Sequence, residues 1–159
     1  MKEMFDADRV RNVLGDTINS VLAEMAFLDC HEAAPGLPVA KPDTEHCVAI
    51  DVLKPGSFRI ELRVGEQFRK KIISLLFDPA AADSPSQDKA EADLLLEILN
   101  VVAGNFISGY FGAQTAAKLE LPRYLYYSDP AEGEIVAEIA LDAESDPILA
   151  TLRSIRYRY

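Results

Sequence analysis

The stretch EILNVVAGN, Glu97 to Asn105, places a carboxylate and, three residues on, a carboxamide inside the longest apolar run of the chain. An amide side chain donates and accepts hydrogen bonds at once, so Asn100 can orient a water without acting as a base. One turn away, Glu97 can anchor a cationic group on whatever lies opposite. Gly104 beyond them leaves room for another surface to approach closely. At about 100° per residue, Asp93, Glu97, Asn100 and Gly104 fall within about 60° of one another on a helix. Leu94, Leu95, Leu96, Ile98, Leu99, Val101, Val102, Phe106 and Ile107 take nearly all the remaining circumference, more than the apolar stripe of a surface helix. The plain alternative is that this line is only the solvated face of the helix, because a polar pair three residues apart is weak as a motif.

Other reactive groups carry less. Cys30-His31 and His46-Cys47 invite a zinc reading, but adjacent side chains diverge and the spacing fits no zinc motif. Two core thiols and two surface or loop histidines are expected instead. The sequence contains no Gly-x-Ser-x-Gly elbow and no Walker loop. With 26 acidic residues against 16 Lys and Arg, a net charge of −10 argues against binding a phosphate backbone, so nucleic acid is not expected as a partner. The N-terminus lacks a basic stretch followed by an apolar core. No run approaches the roughly 18 consecutive apolar residues of a membrane span, so a cytoplasmic protein is expected.

The elements that must position the polar line follow from periodicity. Residues Ala7 to Leu28 repeat apolar side chains at three- and four-residue steps and predict an amphipathic helix. Cys30 to Thr44, with three prolines and a glycine, predicts a connection. CVAIDVLKPGSFRIELRVG predicts a hairpin turning at Lys54 to Ser57. Phe58, Ile60, Leu62 and Val64 alternate with Arg59, Glu61 and Arg63, the pattern of a sheet with one wet face. Glu66 to Phe77 returns to helical spacing. A third helix is predicted from near Ser86 to Phe111, with Gly112 as its C-cap. An extended piece around LPRYLYY, a turn at SDPAEGE and a strand from Glu134 to Leu141 come next. In the tail, Ile155, Tyr157 and Tyr159 alternate with Arg156 and Arg158 and predict a last strand, with Arg153, Arg156 and Arg158 facing outward or edge-pairing with another subunit. The expected architecture is α+β, long helices packed on an antiparallel β-sheet, as one domain over residues 1 to 159.

DLLLEILNVVAGN, with Asp93, Glu97, Asn100, Ala103 and Gly104, resembles the Asp/Ser-x3-Glu-x2-Asn signature of the CheX and CheC family of chemotaxis phosphatases. The surroundings are similar too: an N-terminal helix such as VLGDTINSVLAEMAFLD, a glycine-bearing hairpin, a helix after it, the signature helix, and a downstream proline, here Pro122. Element order is similar over essentially the whole chain, whereas residue-level likeness is confined to the signature helix. The chain looks more like CheX than CheC, because CheC-type members carry two good motif copies and the first helix here offers only Asp16 and Asn19 in DTIN.

The resemblance implies an aspartyl-phosphate phosphatase acting on a CheY-like response-regulator receiver domain. Phosphoryl transfer from a reactive acyl phosphate needs mainly an in-line water and charge neutralisation. By resemblance, Asn100 orients that water and Glu97 pairs with the receiver's active-site lysine. Asp93 and Gly104 are rim and clearance positions, and Pro122 shapes the loop beside the helix. No cofactor of the chain's own is implied, since the Mg²⁺ belongs to the partner receiver. A homodimer is implied as well. The alternative is a non-catalytic module of the same fold that docks receivers or assembly partners.

Overall fold

The structure, a computed structural model, describes residues 4–33, 45–76, 85–126 and 133–155, without the side chains of residues 45, 76 and 85–93. The elements run α1 (Ala7–Ala26), β1 (Cys30–Glu32), β2 (Glu45–Lys54), β3 (Phe58–Gly65), α2 (Glu66–Leu76), α3 (Pro85–Phe111), β4 (Lys118–Leu119), β5 (Arg123–Leu125), β6 (Glu134–Ala143) and β7 (Asp146–Ser154). The architecture is the α+β one expected from the sequence.

All described strands join one antiparallel sheet in the order β1-β6-β7-β3-β2-β4, with β5 also paired to β2. Val48, Ile50 and Val52 of β2, Phe58, Ile60, Leu62 and Val64 of β3, Ile139 and Leu141 of β6, and Ile148, Ala150 and Leu152 of β7 share one face and one core with the helices. Alternation along each strand puts them there. All three helices contribute to this core, so they form a single layer over that face.

The two halves of the chain repeat a helix, a short strand and a hairpin, and they exchange the short strands across the sheet. β1 pairs with the second hairpin through β6, while β4 and β5 pair with the first through β2. The hairpins meet at the central pair of β3 and β7. The helices match in register: buried Leu14, Ile18, Val21 and Leu22 of α1 correspond to buried Leu95, Leu99, Val102 and Ala103 of α3. Asp16 and Asn19 then correspond to Glu97 and Asn100.

Helix ends follow local chemistry. Asp6 caps α1, its carboxylate accepting from the N–H groups of Asp8 and Arg9. Gly112, at φ +108, ends α3 as expected, with its N–H donating to the Ser108 carbonyl. No basic residue lies in the last turn of α3, and Arg9 of α1 supplies the missing charge. Its guanidinium donates to the Tyr110 carbonyl at 2.7 Å and lies over the Tyr110 ring. Phe5 packs against Phe58, Tyr110 and Phe111 in the same corner. Residues 94–111 are long and apolar enough to cross a bilayer on those grounds alone. Their buried side chains belong to the common core, so α3 is a core helix.

Several expectations are corrected. α1 stops at Ala26 because Phe27 turns left-handed at φ 56. The predicted connection begins with strand β1, whose three residues pair with β6; residues 34–44 lie outside the described residues. The last strand is Asp146–Ser154, ahead of the alternation read at Ile155 to Tyr159, of which 156–159 lie outside the described residues. Residues 127–132 of the predicted turn also lie outside, as does Phe77 of the predicted second helix.

The face turned away from the helices is not wet at its centre. Arg59 and Glu61 are only 4% and 3% exposed. The register explains this: Arg59 lies opposite Asp51 on β2, and Glu61 is opposite Thr151 on β7. Arg59 makes a two-pronged contact with Asp51, Nε at 2.6 Å and a terminal nitrogen at 3.2 Å. Arg153, expected to point outward, donates to Glu61 at 3.0 Å. Cross-strand neighbours therefore neutralise one another where solvent was expected to do so.

Candidate functional site

α3 packs against α1 and β2, and its outer side carries the polar line. Leu95, Ile98, Leu99, Val102, Ala103, Phe106 and Ile107 are buried, whereas Glu97 and Asn100 are exposed. Burial thus selects the helix rotation and leaves Glu97 and Asn100 one turn apart on the surface. Among the described residues, no hydrogen bond or ion pair holds either side chain. A free carboxamide and a free carboxylate on a rigid, buried-backed helix are available to a second surface.

Gly104, itself half-buried, completes the line. A methyl group added there would meet nothing within 4 Å. In contrast, one added at Gly15 would strike Ile139 at 2.9 Å, and one at Gly109 would press on Val13 at 3.3 Å. Those two glycines are explained by internal packing. Gly104 is not, although a mid-helix glycine costs about 1 kcal/mol relative to alanine. Gly104→Ala is therefore expected to raise the unfolding free energy by about 0.5 to 1 kcal/mol. A denaturant titration in which stability falls would show that Gly104 serves the fold.

The backbone of Asp93 lies on the same helical line, and its side chain is outside the described residues. Pro122 is half-buried between β4 and β5, on the edge beside β2. The exposed surface of α3 is also broader than a single line: Asn105, Ser108 and Gly109 are exposed, and Leu94, Leu96 and Val101 are half-exposed. Periodicity hides the first three because they sit among apolar neighbours, and Gly109 lies against Val13 of α1.

The counterpart on α1 differs. Asp16 is exposed, but the Asn19 carboxamide oxygen accepts the Cys30 N–H at 3.4 Å and so ties the start of β1 to the helix. Beside it, Arg11 and Glu32 form an ion pair at 2.9 Å. The Cys-His pairs do not converge. Cys30 is buried while His31 is exposed, and His46 bonds Glu66 at the start of α2. Burial and then the Asp142 charge push the Cys30 thiol up to about 12, which makes it inert as a nucleophile. Cys47 is half-buried rather than a core thiol. At Glu66, burial pushes the carboxyl up, but hydrogen bonds from His46 and Arg69 together with their charges outweigh it and hold the group below its ordinary value. These polar groups serve the fold.

No family model matches the chain, and no curated protein matches it. Solved structures do. A CheX from Desulfovibrio desulfuricans superposes with a TM-score of 0.70 at 10% identity, over 91% of this chain and 97% of that one. A CheX from Vibrio vulnificus gives 0.69 at 14% identity, over 94% and 98%. The CheX-CheY-BeF3-Mg²⁺ complex from Borrelia burgdorferi gives 0.65 at 17% identity, over 95% and 99%. The class defined is thus the α+β fold of the CheX and CheC-like chemotaxis proteins. Within it, the likeness to CheX runs nearly the full length of both chains.

Proposed function

We propose that this protein is a CheX-like phosphatase that accelerates hydrolysis of the aspartyl phosphate on a CheY-like receiver domain, acting in the cytoplasm. The observation that carries the reading is the pair Glu97 and Asn100, exposed, one turn apart and without a hydrogen bond or ion pair among the described residues, on a helix whose opposite side is buried in the core. The fold shared with CheX proteins, one of which is in a complex with CheY, BeF3 and Mg²⁺, supports the partner class. Asn100 enters the receiver's site and holds the attacking water in line by donating and accepting at once. Glu97 pairs with the receiver's lysine and fixes the register of docking. Metal chemistry resides in the receiver, whose Mg²⁺ neutralises the phosphoryl oxygens. Gly104 and Asp93 form the rim, Pro122 shapes the neighbouring edge, and the working unit is a homodimer.

The test is phosphate release from a phosphorylated receiver with and without the protein. Acceleration above the receiver's own rate is expected, and no acceleration with any candidate receiver leaves the non-catalytic docking module as the surviving account. Glu97→Ala is expected to lower kcat/KM by about tenfold or more, the loss of one charge-assisted hydrogen bond. An unchanged value removes Glu97 from the site.

A further inference from the structure

Leu121 is 87% exposed, more than any other large apolar side chain among the described residues. Its position follows from the two-fold repeat of the fold. In the first half, the short strand β1 runs alongside the Asp16 and Asn19 face of α1, as the Cys30 to Asn19 bond and the Arg11–Glu32 pair record. A groove there is lined by Asp16, Asn19, His31 and Glu32. In the second half, β4 takes the place of β1: Leu119 pairs with Val52 as Glu32 pairs with Leu141. By this correspondence, the edge formed by β4 and β5 takes the position beside the Glu97 and Asn100 line of α3 that β1 takes beside Asp16 and Asn19.

That edge is broken in the middle. Leu119 pairs with Val52, Glu120 donates its N–H to the Asp51 carbonyl, and the pairing resumes one residue out of step at Arg123 and Ala49. An extra residue in an edge strand bends it and re-aims a side chain. Pro122 has no N–H, so this stretch is unsuited to adding a further strand. The break turns Leu121 outward, while Leu119 and Tyr124 on either side pack against the core.

We propose that Leu121 is the apolar anchor of the receiver-docking surface, which extends from Gly104 and Asn100 across Glu97 to the β4–β5 edge. This rests on the receiver reading above. An apolar centre bordered by polar groups is the usual anatomy of a protein interface. It also gives Pro122 a task, holding the break that presents Leu121.

The experiment compares wild type, Leu121→Asp and, as a control, Phe27→Ser, which removes another exposed apolar side chain, 77% exposed at the end of α1. For Leu121→Asp, KM for the phosphorylated receiver is expected to rise about tenfold, with kcat and the thermal midpoint unchanged, in line with the loss of one buried leucine contact. Phe27→Ser is expected to leave KM alone. Titration with the receiver loaded with Mg²⁺ and beryllium fluoride reads affinity without turnover, so a weaker Leu121→Asp complex supports the anchor even if wild type proves catalytically silent. Equal affinity of the two forms overturns the anchor and leaves the phosphatase reading intact. A change of oligomeric state in Leu121→Asp, measured by light scattering, assigns the leucine to a second copy of this chain and overturns the proposal too.

Discussion

Asn100→Ala is expected to abolish acceleration of receiver dephosphorylation, a loss of about a hundredfold or more, while leaving the fold intact. The size follows from the role: positioning a water in line is most of what a protein can add to hydrolysis of an acyl phosphate, and misplacing it by about 1 Å costs on the order of a hundredfold. The intact fold follows from exposure, since Asn100 lies outside the core and no described residue bonds to its side chain. Alanine is also the better helix former, so the helix itself loses nothing. The effect should fall on kcat, with affinity for the beryllium fluoride form of the receiver retained. Asn19→Ala is the internal contrast, because the Asn19 carboxamide is already spent on the Cys30 N–H. If Asn100→Ala matches wild type in phosphate release, the assignment of the site is wrong.

Sequence and structure agree where a local rule decides the outcome. α3 was readable because apolar residues take most of its circumference and Gly112 ends it, so the line containing Glu97 and Asn100 could be located by angle alone, although the exposed surface around it is broader than that line. The hairpin of β2 and β3 was readable from alternation and from Gly56, whose φ of +75 the turn requires. Outcomes decided by distant pairing were not readable. β1 is three residues long and exists only because β6 lies beside it. The correspondence of the two halves depends on exchanged strands, which no single window of sequence contains. Alternation shows that Arg59 and Glu61 share a face, but not that Asp51 and Arg153 stand opposite them. Leu121 looks like an ordinary loop leucine until the register shift between β4 and β5 is known.

That buried charge layer sets the largest expected effect on stability. Arg59→Ala is expected to lower the unfolding free energy by about 3 to 5 kcal/mol, the usual cost of removing one partner from a buried ion pair. Asp51 is 5% exposed and, among the described residues, its side chain would keep only the Arg123 contact at 3.3 Å, from a side chain that is itself 42% exposed. A single solvent-facing contact replaces a two-pronged one, so the carboxylate stays largely desolvated without compensation. Against a typical domain stability of about 5 to 15 kcal/mol, this is a large share. The cost comes from the orphaned charge rather than from any large net gain of the pair. Replacing both members together, Arg59→Met with Asp51→Leu, is therefore expected to recover most of the loss. Urea titrations of the two variants separate these accounts: a loss below about 1 kcal/mol for Arg59→Ala, or a double variant as unstable as the single one, would overturn the assignment of this layer as a mutually neutralised interior. Because the layer lies on the face of the sheet away from α3, the folded fraction of either variant should still dephosphorylate the receiver at the wild-type rate.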